Sequence, residues 1–298
     1  MTAAAHRDPR LGEWRVAEVT SGRIHYAERG TGAPVLFVHG GLCNANVWRG
    51  VVPLLAEQYR CIVPDLPQGS HREPMLAGAD LSPPGQVRLI IDLLDSLNLD
   101  EVLVVSNDAG GAISQMLAGA HPERVRALVL SSCDTFRQFP PRYLKPLHLL
   151  TRLPGLGSWL GPRLATAWTW RWVQTIFYRS IALRPIEPAV LASYVDPLRD
   201  PRIRRDLARF FAGIRSSHTL TAARQLTSYP QPVLVVWGAQ DLWFARRNAR
   251  RLVSSIPDAR LEILPACRTL VPEDQPDRFG ELVVHFFSSR LAQPPPSP

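Results

Sequence analysis

Val102-Leu103-Val104-Val105-Ser106-Asn107-Asp108-Ala109-Gly110-Gly111-Ala112 runs from an apolar strand, through a turn of small residues, into a helix, and a carboxylate sits at the turn. Ser106 and Gly110 stand two residues to either side of Asp108. That small-x-Asp-x-small spacing suits a strained strand-to-helix turn, which lifts one side chain above the C-terminal edge of a sheet and tolerates only small neighbours. Taking Ser106 as the apex instead would put Val104 and Asp108 at the crowded positions, so the frame selects Asp108.

Outward from this turn, short apolar runs bounded by turn residues alternate with longer stretches of helical period, which predicts a mostly parallel sheet with right-handed crossovers. Trp14–Thr20 and Arg23–Arg29 read as an antiparallel pair around Ser21-Gly22. Pro34–Val38, Tyr59–Pro64, Glu101–Val105, Ala127–Ser131, Pro232–Trp237 and Arg260–Leu264 complete eight expected strands. Helical period falls on Val47–Glu57, Ser82–Leu97, Gly110–Ala120, Ala245–Ile256 and Asp277–Arg290.

Between Asp134 and about Ser217 the alternation stops, and tryptophan, arginine and proline become dense, which predicts an inserted helical cap. Residues 1–13 are expected to be a flexible N-terminus, 14–134 and 218–290 the two parts of the core, 135–217 the cap and 291–298 a disordered, proline-rich tail. Trp159, Trp168, Trp170, Trp172, Phe177, Tyr178, Tyr194, Phe210 and Phe211 supply the cap's aromatic content, most of it for packing. A few of these, with Trp168, Trp172 and Tyr178 foremost, are expected to line a pocket over the strand C-termini, where open sheets bind ligands.

Composition bounds the partners. With 298 residues and 46% hydrophobic content the chain can bury a substantial core. The net charge of +8 comes from arginines scattered along the whole chain with the single lysine Lys145, a spread that does not read as a nucleic-acid surface. Residues 1–14 lack a signal-like apolar run, and no later stretch approaches the roughly 18 apolar residues of a spanning helix, so a cytoplasmic protein is expected. Cys43, Cys61, Cys133 and Cys267 are far apart and read as free buried thiols. The eight histidines never take a metal-ligand spacing beside an acid, so no metal or other cofactor is expected. A small-molecule substrate and a monomer or homodimer complete the expectation.

The motifs in chain order resemble the α/β-hydrolase superfamily from Trp14 to Arg290. Val35-Leu36-Phe37-Val38-His39-Gly40-Gly41 resembles its oxyanion-loop strand, Ile62-Val63-Pro64-Asp65-Leu66-Pro67 the next strand and the Asp108 turn its nucleophile elbow. His121-Pro122-Glu123-Arg124-Val125 and Val233-Leu234-Val235-Val236-Trp237-Gly238 with Asp241 follow. The resemblance implies an eight-stranded, mostly parallel α/β-hydrolase sheet with helices on both faces and the inserted cap. An aspartate at the elbow is similar to the epoxide hydrolases and the haloalkane and fluoroacetate dehalogenases. Attack at saturated carbon needs a nucleophile already ionised at neutral pH, and a carboxylate with an ordinary pKa of about 3.9 satisfies this without a base. The helix following Asp108 should favour its charge, and the amides of Ala109 and of Gly41 or Leu42 should face its second oxygen. His39 and Asn107 are further candidates for the pocket.

Several positions depart from these relatives. Halide-binding side chains expected after Gly40 and after the nucleophile are replaced by Gly41 and Ala109, and the arginines of the fluoroacetate type by Ala109 and Ala112. Epoxide opening is then the nearest match, with Tyr143, Tyr178 or Tyr194 as proton donor. The loop Leu264-Pro265-Ala266-Cys267-Arg268-Thr269-Leu270-Val271-Pro272 puts Thr269 where the resemblance expects the general-base histidine, and Thr269 and Leu270 join the pocket candidates. His218 and His71 are the histidines expected to replace it. Asp241 and Asp134 stand at the two positions from which such relatives supply the acid, and Arg268 is a cation that would relieve repulsion among three carboxylates. Hydrolysis of a small apolar substrate through an ester on Asp108 is the leading expectation. The alternatives are a non-hydrolytic cyclase, isomerase or lyase of natural-product metabolism using Asp108 as acid and base, and an inactive ligand-binding homologue.

Overall fold

The computed structural model describes residues 6–145, 148 and 171–291. Its strands are β1 (Glu13–Val19), β2 (Gly22–Arg29), β3 (Ala33–Val38), β4 (Tyr59–Pro64), β5 (Val102–Asp108), β6 (Val125–Cys133), β7 (Val233–Gly238) and β8 (Ala259–Leu264). They form one sheet in the order β1-β2-β4-β3-β5-β6-β7-β8. β1 pairs antiparallel with β2, and β2 antiparallel with β4; every later pairing is parallel. This is the eight-stranded arrangement expected, with strand limits displaced by a residue or two.

The central strands β3, β5, β6 and β7 are apolar along almost their whole length because helices cover both of their faces. The edge strand β8 instead exposes Arg260 and Glu262, charges that discourage pairing with another chain.

The helices are α1 (Val52–Leu55), α2 (Pro83–Ser96), α3 (Ala109–Ala120), α4 (Arg171–Ile181), α5 (Pro188–Val195), α6 (Pro201–Gly213), α7 (Ser216–Gln225), α8 (Arg246–Ser255), α9 (Val271–Asp274) and α10 (Pro276–Leu291). Ser82 caps α2 by accepting a bond from the Gly85 amide, and Pro83 at the first turn gives up no hydrogen bond there. The single helix expected over Val47–Glu57 is instead a 3-10 turn, Ala45–Trp48, followed by the short α1. The cause is local and tertiary together. Pro53 can only begin a helix, and Gly50 is pressed so closely on Pro276 that a Cβ there would lie 2.7 Å from the proline Cβ. Trp48 fills the space so formed, its ring 5.3 Å from Phe37 and 6.4 Å from Phe279.

Between β6 and β7 the described residues hold α4 to α7 and no strand, only an isolated bridge from Thr135 to Gln138. α7 runs through position 217, where the sequence suggests the core resumes, and packs on α3, with Gln225 against Gly119. No helix among the described residues is long and apolar enough to cross a membrane. The four cysteines are free and buried.

α3 lies unusually close to β3, because a Cβ on Gly110 would fall 2.2 Å from the Val38 carbonyl oxygen and 2.5 Å from that of His39. Neither carbonyl can retreat without breaking the sheet. Gly110→Ala is therefore expected to destabilise the fold by about 1–3 kcal/mol, read as a lower urea midpoint at unchanged slope.

Candidate active site

Asp108 is the last residue of β5 and precedes the first of α3, with φ 55° and ψ −131°, a left-handed conformation that costs a non-glycine residue about 1–3 kcal/mol. The surroundings hold it there. Ser106 donates its hydroxyl to the Val129 carbonyl at 2.9 Å, and Gly40 passes so near that a Cβ would lie 2.1 Å from Asp108 Oδ2. Gly111 lies against the Cys133 side chain in the same way. The backbone amides of Ala109 and Gly41 lie near the Asp108 carboxyl and favour its charged form. Leu42 does not join them, since its amide donates to the Gln68 carbonyl at 3.0 Å. It lines the same cleft, with φ 58°.

That cleft lies over the C-terminal ends of the strands. Asp108, Ala109, Gly41, Leu42 and Asp134 form its floor. Phe139, Pro141 and Leu144, Phe177 and Ile181 of α4, Phe210 and Phe211 of α6, Ile214 and Trp243 form its walls. The wall is apolar among the described residues. The pocket aromatics Phe177, Phe210 and Phe211 come from the helical insert, as the sequence suggests, whereas Phe139 and Trp243 were not singled out. Trp243 follows two residues after Asp241, and that adjacency was its only signal.

Three carboxyls share this region. Burial raises the Asp108 carboxyl to about 7, the charge of Asp241 adds to the rise, and the amides of Ala109 and Gly41 oppose it. Asp241 Oδ1 accepts from the Trp243 amide at 2.8 Å, the Phe244 amide at 2.9 Å and the Thr269 hydroxyl at 2.8 Å. Burial still pushes Asp241 above the usual carboxylate range, with these donors pulling it back. Asp134 is 1% exposed, and its Oδ1 has no hydrogen-bond partner. Burial first, then the charges of Asp108 and Asp241, push it well above the ordinary range. Arg268 does not relieve this cluster: its guanidinium donates to the Arg179 carbonyl.

The histidine candidates lie elsewhere. His71 is buried with Nε2 3.2 Å from Asp206 Oδ2, where it joins the loop after β4 to α6. His218 sits on α7 off the cleft, its pKa lowered by burial and by Arg215. His39 is spent on its own loop, with Nδ1 donating to the Gly40 carbonyl and Nε2 accepting from the Leu66 amide, both at 2.8 Å. None of the three lines the cleft.

Asn107 also points away, donating Nδ2 to the Ser131 carbonyl at 3.0 Å and to the Thr269 carbonyl at 2.8 Å, so it ties β5 and β6 to the loop after β8 instead of meeting substrate. Thr269 is 1% exposed beneath the floor, and Leu270 is buried with its amide on the Ile181 carbonyl at 2.8 Å. Tyr178 gives its hydroxyl to the Leu42 carbonyl at 2.6 Å and Tyr194 gives its own to Glu273 at 3.0 Å. Tyr143 is 55% exposed, its ring 5.9 Å from that of Trp243. Trp168 and the side chain of Trp172 lie outside the described residues. No group of three or more histidine, cysteine or acidic side chains suited to a metal occurs among the described residues.

Because the three carboxyls hold protons more tightly folded than unfolded, each lends most stability below the unfolded range near pH 4 and loses it as pH rises through its folded pKa, at about 1.4 kcal/mol per pH unit per group. Asp134→Asn, neutral throughout, is expected to be more stable than the parent at pH 8 and to approach it near pH 4. Denaturant titrations of both proteins across that range check this.

Comparison with known proteins agrees with the fold. The alpha/beta hydrolase fold family matches residues 33–276. Haloalkane dehalogenase 2 of Mycobacterium bovis is 30% identical over 290 residues, covering 94% of this chain and 97% of the relative. The cis-3-alkyl-4-alkyloxetan-2-one decarboxylase of Shewanella oneidensis is 28% identical over 277 residues, covering 89% and 85%. The crystal structure of haloalkane dehalogenase DbeA from Bradyrhizobium elkani superposes with a TM-score of 0.76 at 22% identity, over 94% of this chain and 99% of that one. With an elbow, an eight-stranded sheet in this order and relatives that align end to end, the chain belongs to the alpha/beta hydrolase fold family.

Proposed function

We propose that this chain is a hydrolase that opens a small, mainly apolar, strained oxygen ring, an epoxide in the first instance, by attack of Asp108 at carbon to form an alkyl-enzyme ester. The observation that carries this reading is the seating of Asp108, whose carboxyl lies beside the amides of Ala109 and Gly41 at the floor of an apolar cleft. The same amides would take up the oxyanion when water later attacks the ester. A carboxyl near pH 7 in its ionisation supplies the charged nucleophile over the neutral and alkaline range.

The leaving group decides between relatives. N–H donors speed the departure of the poorer halides, and Gly41 and Ala109 have no side-chain donor, which leaves only a good leaving group such as iodide. Trp243, the one indole on the described wall, gives its N–H to Ser180 at 3.0 Å. An opening ring needs a proton instead, and a buried neutral carboxyl can give one. Tyr178 and Tyr194 donate elsewhere and Tyr143 is 55% exposed, which moves that duty away from them. The decarboxylase relative named for a four-membered lactone also fits a strained oxygen heterocycle.

One observation favours a second reading. Thr269 occupies the place beside Asp241 where the resemblance expects histidine, and its hydroxyl only donates to that acid. A chain that lost water activation in this way would perform a non-hydrolytic ring opening or lyase reaction, as the oxetanone relative's name describes for that protein.

Intact-protein mass measurement with an epoxide panel in heavy-oxygen water separates the readings. The hydrolytic route is expected to place label in Asp108 over repeated turnovers and to vanish in Asp108→Asn, with a rate loss of about 10⁴ or more. Product that forms without water oxygen from a wild-type chain that never carries label would establish the non-hydrolytic route.

A further inference from the structure

Resting on the ester reading above, we infer that Asp134 is the general acid and base of this site, giving a proton to the opening ring and then taking one from the attacking water in place of an imidazole.

The argument begins with position. Asp134 follows β6, whose last residue Cys133 is registered beside Asp108 at the end of β5, so the backbone delivers both carboxyls to one end of the sheet. Both reach the same cleft. Next comes the inequality of their surroundings. Asp241 is held by two amides and a hydroxyl, and Asp108 lies beside two amides, all donors that favour an ionised carboxylate. Asp134 has no such donor at Oδ1, and Gln115 bonds to its backbone carbonyl at 2.9 Å instead; Asp241 Oδ2 also lacks a partner, but its Oδ1 takes three donors where no bond to the Asp134 carboxyl is found. A carboxyl that accepts nothing, sits beside two carboxylates and meets no described cation keeps its proton. Because Asp134 lines the cleft, a ligand seated there is the acceptor within its reach. Two carboxyls whose surroundings drive their ionisation apart are the arrangement that allows one to attack while the other donates.

The proton count closes. Asp108 Oδ attacks a ring carbon, the C–O bond breaks, its electron pair goes to the ring oxygen, and that oxygen takes the Asp134 proton. Asp134 is then a carboxylate facing a neutral ester. It removes one proton from water as the water oxygen bonds to the ester carbonyl carbon, and the Gly41 and Ala109 amides hold the oxyanion. The bond from that carbon to the alkyl oxygen then breaks, and the departing oxygen takes the second water proton. The diol leaves with Asp108 ionised and Asp134 protonated, as at the start.

Asp134→Asn, with Asp134→Glu beside it, tests this using styrene oxide and 1-iodobutane as probes. Iodide departs without a proton and leaves Asp134 protonated, so parent and asparagine variant are both expected to alkylate at Asp108; the parent clears the butyl adduct only as rising pH ionises Asp134, whereas the asparagine variant holds a full equivalent at every pH. Turnover of styrene oxide should fall by ~10²–10⁴, the range of general acid–base catalysis. The glutamate variant should recover part of that loss, and the parent's alkaline fall in rate should disappear in the asparagine variant. Turnover within about threefold of the parent, with the alkaline limb intact, overturns the inference, since a general acid–base contributes far more. A folded asparagine variant that no longer alkylates with iodobutane also overturns it. A parent chain that forms no ester on Asp108 with either probe overturns the ester reading, and the inference falls with it.

Discussion

The contact between the Gly40-Gly41 loop and the Asp108 carboxyl is what the rest of the site depends on. Asp108 stands at φ 55° because the chain must leave a parallel strand and enter a helix within one residue. No space remains for a side chain at Gly40, and none for one at Gly110 against the carbonyls of Val38 and His39. The strain is tolerated because a covered sheet on one side and α3 on the other over-determine the turn. In return the carboxyl lies beside two amides from different elements before any substrate arrives. Positioning of this kind needs no reorganisation during a reaction.

Charge is the second constraint. Three carboxyls converge where no described cation or imidazole is near, so their ionisation is shared out by hydrogen-bond donors alone. Asp241 receives three donors, all at Oδ1, while its Oδ2 and Asp134 Oδ1 receive none. Thr269 is central to this distribution. Its hydroxyl serves Asp241 while its carbonyl accepts from Asn107, so the loop after β8 is tied to the elbow strand through one buried residue. The consequence is a site whose three acids differ in character although they share one residue type.

The fold was legible because it depends on patterns a single chain carries. Apolar runs such as Val102–Val105 and Val233–Trp237 can be buried only in the middle of a parallel sheet, and the small residues around Asp108 announce the turn. The acids after β6 and β7 were legible for the same reason, since a strand's end points at the site whatever follows it. The histidines and tyrosines were not. His71 was chosen from a loop that does border the insert, but its ring turns to Asp206. Tyr178 lies in the right helix, yet its hydroxyl ends on the Leu42 carbonyl. One helix carries Phe177 to the cleft and Tyr178 away from it, because successive helical side chains diverge by about 100°.

By itself the sequence determined the α/β alternation, the elbow with Asp108 at its apex, the acids that end two central strands and the absence of histidine from the loop after β8. These are properties of spacing and residue type, and they survive any arrangement of neighbours. Tertiary structure alone decided that Gly41 and not Leu42 supplies the second amide, that Thr269 serves Asp241, that the helix expected across Gly50 is broken by Pro276, and that Asp134 is left without a donor. Each of these depends on groups far apart in the chain meeting within a few ångströms, and hydrogen bonds and steric contacts act only at that range.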